Sequence, residues 1–481
     1  MGAHLYHESE EQCWDKSFRF LRQNEGEIFC VLKKSWDGLE SAQRDSFLDI
    51  SCFFVGSTDV ICRAYLEGVY GVGWAHLDVL HSRCLLTFEK EGGKCDTKQR
   101  SVGMHNHLRD MGRQIVREKE KNRAWDEETA KKFLKSESTR SALRGLLINS
   151  AMALPYEATK CDSLPELKFL RVAGDSQDGE SLQGEKLARN VLRNVLCEEL
   201  RLLDWRNASF QEVFPGLAAS TNLRVLDLRD SRIAQLPAFT NLRYVDLAGT
   251  NISQVPHEIF SDNLEYMDLS RTKIKELPSA ALCPNLRRLY LMDTEISEVP
   301  RGLYSTLLEI LGISGTNISE VQEVSLPNLL ELDMRGCKAM KRLPPTFDLY
   351  SLQSLDLSLC MSLKALSFLP TSLEELILFG CRELEVLDLG SGNLTNLKRL
   401  DLGSGNLPQE LETLPALSIE RDDPAHTIES TEGEPTMERD DPAHTIDRFK
   451  DVFKVNFTAS LHRICVDVQA LISRFVHVDW V

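Results

Sequence analysis

Asn222-Leu223-Arg224-Val225-Leu226-Asp227-Leu228-Arg229-Asp230-Ser231 decides the fold. On a short strand Leu223, Leu226 and Leu228 turn inward, while Val225, Asp227 and Arg229 alternate outward. The phrase recurs with its first leucine at Leu167, Leu200, Leu242, Leu264, Leu286, Leu308, Leu329, Leu352, Leu373 and Leu397. From Leu223 onward the spacing is 19–24 residues. Eight positions after the first leucine stands a column of small hydrogen-bonding side chains: Ser231, Thr250, Thr272, Thr294, Thr316, then Cys337, Cys360 and Cys381. The chain turns there, and backbone groups left inside a turn need partners. Supplying them is the task expected of this column.

One such unit cannot bury its own leucines, but stacked units bury each other's, and this period is that of leucine-rich repeats. About eleven units over residues 141–415 predict a parallel-sheet horseshoe. The array has two dialects. In the Thr half the next core residue follows at plus ten (Ile233, Ile252, Ile274, Ile296, Ile318), and in the Cys half at plus eleven (Met340, Leu363, Leu384). Leu-Pro or Val-Pro closes many units, for example Leu236-Pro237 and Val299-Pro300. Proline halts regular structure, so loops and short turns are expected on the convex side.

Residues 29–140 carry no repeat and read as helices followed by a hairpin, the pattern of a winged helix. A helix ends at Trp36, a second runs Ala42–Phe54, and a third runs Ala75–Ser82. Cys84–Phe88 and Ser101–Met104 form the hairpin arms around Glu91-Gly92-Gly93-Lys94, and His105–Glu118 returns to helix. Lys119–Ser138 reads as a charged connection, and Ala173–Glu185 as a loop insertion. The fold class is therefore α+β and multidomain, a helical winged-helix module followed by the solenoid.

The net charge is −17, and residues 420–447 are strongly acidic. Phosphate binding needs a basic face, so no nucleic-acid partner is expected, including for the winged helix. No apolar run approaches the roughly 20 residues that span a bilayer, and the start has no signal pattern. No membrane association and a cytoplasmic location are expected. Thirteen cysteines without a C-x-x-C pair fit reduced thiols and no metal site. Glu420–Ile428 is duplicated at Glu438–Ile446, and residues 416–447 read as a disordered segment. Residues 448–481 regain an apolar pattern and read as a cap or contact segment.

Three phrases carry a resemblance. Leu32-Lys33-Lys34-Ser35-Trp36-Asp37-Gly38-Leu39 resembles "L-K-x-S-Y-D-G-L". Phe47-Leu48-Asp49-Ile50-Ser51-Cys52-Phe53-Phe54 resembles "F-L-D-I-A-C-F-F". Met104-His105-Asn106-His107-Leu108-Arg109-Asp110-Met111-Gly112-Arg113-Gln114-Ile115-Val116-Arg117 resembles "M-H-D-L-L-R-D-M-G-R-E-I-V-R". All three belong to plant nucleotide-binding leucine-rich-repeat immune receptors, in the branch that usually carries a TIR domain. The resemblance implies that residues 1–28 are the remnant of a preceding helical module. It also implies a switch in which the histidine at position 105 would contact an ADP phosphate. The sequence departs from the family at Asn106, where the motif has aspartate, and it holds no G-x-x-x-x-G-K-[ST]. Nucleotide is therefore expected only if a nucleotide-binding domain is supplied upstream, and His105 otherwise as a packed histidine between hairpin and helix.

No catalytic set is present: there is no H-E-x-x-H, no G-x-S-x-G and no local Cys/His signature. The candidate site is the concave wall. Plus-four positions give an aspartate column, including Asp227, Asp246, Asp268 and Asp333, in which Arg229 and Arg335 are placed to share the charge. The column breaks at Tyr290, Gly312 and Ile377. Large side chains gather at Tyr244, Tyr266, Arg288, Tyr290 and Met292, as in binding hot spots. The expected function is non-catalytic protein recognition in plant immunity. The expected partner is a pathogen effector, a guarded host protein or another receptor chain. A general repeat scaffold and a gene fragment without independent function are the alternatives.

Overall fold

The computed structural model describes residues 34–90, 100–149, 152, 154, 164–173, 183–194, 198–208, 215–218, 220–278, 283–298, 307–319, 326–343, 349–367, 369–388, 394–403 and 418–420. The readings for residues 1–28, 416–417, 421–447 and 448–481, and for the glycine turn at 91–94, lie outside them.

The N-terminal module opens with a helical turn at residues 34–37 and then α1 (Ser41–Asp49), whose Glu40 N–H donates to Gln43 Oε1 at 3.0 Å. The helix widens into a π-type segment, Ile50–Phe54, which is wholly buried. Helix α2 (Asp59–Tyr70) follows and stops at Gly71, whose φ of 77° permits the left-handed cap. Sequence reading missed this helix, although Ile61, Cys62, Tyr65 and Leu66 make its buried stripe. After α3 (Gly73–Ser82) come the antiparallel strands β1 (Thr87–Lys90) and β2 (Arg100–Gly103) and then α4 (Asn106–Ile115). The first hairpin arm starts later than expected, because Cys84 sits in a turn with φ of 56°.

The solenoid sheet begins inside the stretch read as a charged connection. β3 (Arg123–Ala124) pairs in parallel with β4 (Gly145–Asn149), and α5 (Glu127–Phe133) and α6 (Glu137–Ser141) lie between them. Strands β5 (Phe169–Ala173), β6 (Leu202–Trp205), β7 (Val225–Asp227), β8 (Tyr244–Asp246) and β9 (Tyr266–Asp268) follow. Helices α7 (Gln183–Asn194) and α8 (Pro215–Ala218) fall between β5 and β7, and α7 occupies the end of the expected loop insertion. Next come β10 (Arg288–Tyr290), β11 (Ile310–Gly312), β12 (Glu331–Asp333) and β13 (Ser354–Asp356). The ladder is completed by β15 (Glu375–Ile377), β17 (Arg399–Asp401) and β18 (Ser418–Glu420). These fourteen strands form one sheet in parallel register. The return limb of the Cys half is not only loops and turns. There β14 (Ala365–Leu366) and β16 (Val386–Leu387) make a second parallel ladder, which Arg342 joins through a bridge to Ala365.

The leucine columns are the core: Leu223, Leu226, Leu228 and their counterparts are buried in every repeat. Each such leucine stabilises the fold by about 1.5–3 kcal/mol, which no single repeat collects alone. The turn column satisfies buried carbonyls in two ways. Thr250, Thr272, Thr294 and Thr316 hydroxyls donate to the carbonyl three residues back, at 2.6–2.8 Å. Cys337, Cys360 and Cys381 thiols instead donate into the preceding repeat, to Ile313, Met334 and Leu357 carbonyls at 3.1–3.3 Å. Burial pushes the Cys360 thiol up to about 12 and Cys381 up to about 11, which keeps both protonated as donors. Asparagines ahead of the first leucine add another tie. Asn241, Asn285 and Asn396 donate to the preceding repeat's Thr221, Asp262 and Thr371 carbonyls at 2.7–3.0 Å.

Position seven of the unit bends the chain through the left-handed region, with φ of 67–75° at Gly249, Gly315, Gly336 and Gly380. Asp230, Arg271, Asp293 and Leu359 take the same conformation at 53–59° without the freedom of glycine.

The helical module is seated on the first strands of the solenoid. Phe53 stacks on Phe169, ring centroids 4.2 Å apart, while Phe54 and Tyr65 meet the same ring edge-on. Gly145 makes room for this, since a Cβ there would lie 2.4 Å from the Phe53 ring. Helix α2 lies against β7 and β8. Gly68 permits its approach, because a Cβ there would meet Arg224 Cγ at 2.5 Å. Arg201 Nε donates to the Gly68 carbonyl at 2.9 Å. Arg63 forks onto Glu265, which Arg243 also binds at 2.5 Å. Beneath lies a buried cluster in which Arg123 Nε donates to Asp49 at 2.6 Å, Tyr70 donates to Asp49 at 2.7 Å and Arg123 reaches Asp45 at 3.2 Å. Burial opposes the Arg123 charge, yet Asp49, Tyr70 and Asp45 hold its pKa above the usual value.

Candidate functional site

The outward residues of the strands divide the wall. In β6, β7 and β8 every residue is buried, outward ones included. From β9 onward alternation returns in β9, β12, β15 and β17, whose outward positions are half-exposed around a buried leucine or methionine. β11 is again wholly buried. After β8 the half-exposed strand residues resume at Tyr266, while the Arg206 and Arg229 side chains at the ends of β6 and β7 are 44% and 33% exposed.

The aspartate column has a structural task in the strand ends. Asp246, Asp268, Asp333, Asp356 and Asp401 each accept a hydrogen bond from the N–H two residues on, that of Ala248, Ser270, Arg335, Ser358 and Gly403, at 2.9–3.2 Å. The carboxylate thus caps the backbone as it leaves the sheet. Arginines span the column and relieve its repulsion. Arg206 reaches Asp204 and Asp227, Arg229 reaches Asp227 at 2.7 Å and Asp246 at 2.8 Å, and Arg335 reaches Asp333 at 2.8 Å and Asp356 at 3.7 Å. Burial and the Asp227 carboxylate push Asp246 up to about 7 in spite of Arg229. Burial raises Asp268 also.

Where the aspartates stop, the wall changes character. Tyr244 and Tyr266 stack at 4.2 Å with planes 10° apart, and Tyr290 continues the row at 5.7 Å. Gly312, next in register after Tyr290, leaves space for that ring, since a Cβ there would lie 2.9 Å from Tyr290 Cδ1 and 3.5 Å from Met292 Cγ. With no aspartate at this level, Met292 N–H turns to Ser270 Oγ of the preceding repeat at 3.2 Å. Tyr244 is 4% exposed and Arg288 7%, so these two offer little surface to a partner. Tyr266, Asp268, Tyr290, Met292 and Asp333 are half-exposed, and Arg335 is exposed.

His105 stands apart from this wall. It is exposed rather than packed between hairpin and helix, and it caps α4, its Nδ1 accepting from His107 N–H at 3.3 Å. Partial desolvation and the neighbouring His107 hold its pKa below the usual imidazole value. With Nδ1 accepting, the ring proton sits on Nε2, which points away from the cap as a donor. Among the described residues no His, Cys, Asp and Glu group has the arrangement to hold a metal ion, and no helix is long and apolar enough to cross a membrane.

The leucine-rich-repeat family model matches residues 240–296. Disease resistance protein RUN1 of Vitis rotundifolia is 32% identical over 111 residues, 22% of this chain and 7% of that protein. Disease resistance protein RPP2B of Arabidopsis thaliana is 26% identical over 232 residues, 46% of this chain and 18% of that protein. Disease resistance protein RRS1B of the same plant is 25% identical over 203 residues, covering 38% and 14%. The chain thus spans less than a fifth of the length of each of these three relatives. Among solved structures, the leucine-rich effector YopM from Yersinia pestis superimposes with a TM-score of 0.41 at 19% identity, covering 58% of this chain and 77% of that one. The homologues of this chain are plant disease resistance proteins, and its solenoid is built of leucine-rich repeats.

Proposed function

We propose that the chain is a non-catalytic recognition protein of plant immunity. Its partner is a protein: a pathogen effector, a guarded host protein or another receptor chain. The contact face in this reading starts at Tyr266 and continues through Tyr290 and Met292 to Asp333 and Arg335. One observation carries it. Elsewhere the aspartates are engaged in capping strand ends, whereas at Tyr290 and Gly312 the capping residue is replaced by an aromatic ring laid over a gap. Rigid aromatics bordered by charge are what protein hot spots use. The activity is placed in the cytoplasm, and nucleotide enters only through a nucleotide-binding domain supplied separately. The test is partner capture by the chain and by its Tyr266→Ala/Tyr290→Ala/Met292→Ala variant. Capture that persists unchanged in the variant contradicts the reading.

A further inference from the structure

The aspartate column breaks a second time, at Ile377, three strands beyond Gly312. Ile377 is in register between Asp356 and Asp401. Two residues on, Phe379 faces the same wall and is 41% exposed, and Leu359 beside it is 42% exposed. Both side chains are laid over glycines of the next repeat. A Cβ on Gly403 would lie 2.6 Å from Phe379 Cδ2, and one on Gly380 would lie 2.8 Å from Leu359 Cδ2. The result is an apolar ledge with a carboxylate on each side.

The charges around the ledge are unequal. Asp356 gives Oδ1 to Ser358, through N–H at 2.9 Å and hydroxyl at 2.5 Å, and its Oδ2 has Arg335 only at 3.7 Å. Asp401 gives Oδ1 to Gly403 N–H at 3.1 Å, and its Oδ2 has Arg399 only at 3.7 Å. The shorter contacts of those arginines lie elsewhere, to Asp333 at 2.8 Å and to Glu375 at 2.5 Å. Glu375 also accepts from Ser354 Oγ at 3.1 Å. Burial raises the Asp356 pKa, as expected of a carboxylate short of positive charge.

We propose that this ledge is a second docking surface, and that it receives an arginine side chain from a partner protein. The aliphatic stem lies on Ile377 and Leu359, as amphipathic side chains do. The guanidinium stacks on the Phe379 face and lies between Asp356 and Asp401. This surface does not depend on the tyrosine patch, and its test separates the two.

The probe is a fluorescein-labelled synthetic peptide of alternating arginine and leucine, titrated into the full chain and followed by anisotropy. A matched peptide carries citrulline, the neutral isostere, at every arginine. Binding of the arginine peptide and its absence for the citrulline peptide are expected. The Asp356→Asn/Asp401→Asn variant keeps both capping oxygens and removes both charges, so affinity falls about fivefold. Phe379→Ala lowers it by a similar factor of about five. Tyr290→Ala, and a Glu128→Gln/Glu137→Gln control at exposed carboxylates in the N-terminal part, leave it unchanged. Equal binding of the two peptides by the unmodified chain overturns the proposal without any variant. So does a loss produced by Tyr290→Ala or by the carboxylate control but not by Phe379→Ala.

Discussion

Phe53 lies on Phe169 with ring centroids 4.2 Å apart and planes 19° from parallel, although 116 residues separate them. The contact joins the helical module to the first strands of the solenoid, and Phe53 is only 4% exposed. Phe53→Ala should therefore cost about 3–5 kcal/mol, as buried Phe truncations do. Chemical denaturation followed by far-UV and tryptophan signals checks this. Coincident transitions in the unmodified chain and a lower midpoint in the variant are expected. A separately melting module in the unmodified chain counts against the joint unit.

Gly145 tests the same seat from the other side. A methyl added there points at the Phe53 ring from 2.4 Å, so Gly145→Ala should destabilise by about 1–3 kcal/mol through overpacking. Gly56, whose Cβ position is open but whose φ is +82°, makes a useful comparison. Gly56→Ala carries backbone strain without a clash.

Arg123→Ala removes the cation hydrogen-bonded to Asp49 and leaves Asp49 buried beside Tyr70. Removing one partner of such a pair costs about 3–5 kcal/mol. Solubility and thermal midpoint report it, and an unchanged midpoint contradicts the assignment of Asp49 as a paired buried carboxylate.

Much of the solenoid could be read from sequence because each of its signals is local. Leucines repeat at fixed spacing, and Thr or Cys fills one turn position. The strand phrase, the two dialects and the breaks at Tyr290, Gly312 and Ile377 all stand in the letters. Three things do not. Seating Phe53 on Phe169 joins segments that share no period. β3 is a two-residue strand whose first member is a buried arginine, so neither length nor hydropathy announces it. The burial of Tyr244 follows from its stacking on Tyr266 of the next repeat and its contacts with Arg229 and Asp246, and not from its own repeat alone. The Asp column was legible as a column, but its capping role needed the hydrogen bonds to Ala248, Ser270, Arg335, Ser358 and Gly403. Helix α2 did carry a signal in its stripe of Ile61, Tyr65 and Leu66, ended by Gly71.

Asp246 gives a pH signature. Its folded pKa of about 7 stands above the ordinary 3.8, so folding takes up a proton between those values. The associated stability is full below about 3.8 and is lost as the pH rises through about 7. Asp246→Asn retains an oxygen for Ala248 N–H and removes the titration. Urea midpoints from about pH 4 to about pH 8 should fall less steeply in the variant than in the unmodified chain. Parallel slopes contradict the assignment.

Thr272→Val removes the hydroxyl that donates to the Leu269 carbonyl at 2.6 Å while keeping the shape. The orphaned buried acceptor should cost about 1–3 kcal/mol. Thr272→Ser restores the donor and should recover most of it. Equal midpoints for the Val and Ser variants would show that the turn column is held by packing alone.

The central claim is that protein recognition uses the wall from Tyr266 onward. Its most direct test is side-by-side affinity purification from plant extract with the unmodified chain and the folded Tyr266→Ala/Tyr290→Ala/Met292→Ala variant, quantified by mass spectrometry. Loss of the enriched partner from the variant, with its thermal midpoint retained, is the predicted result. Recovery of the same partner in the same amount by both chains contradicts the account.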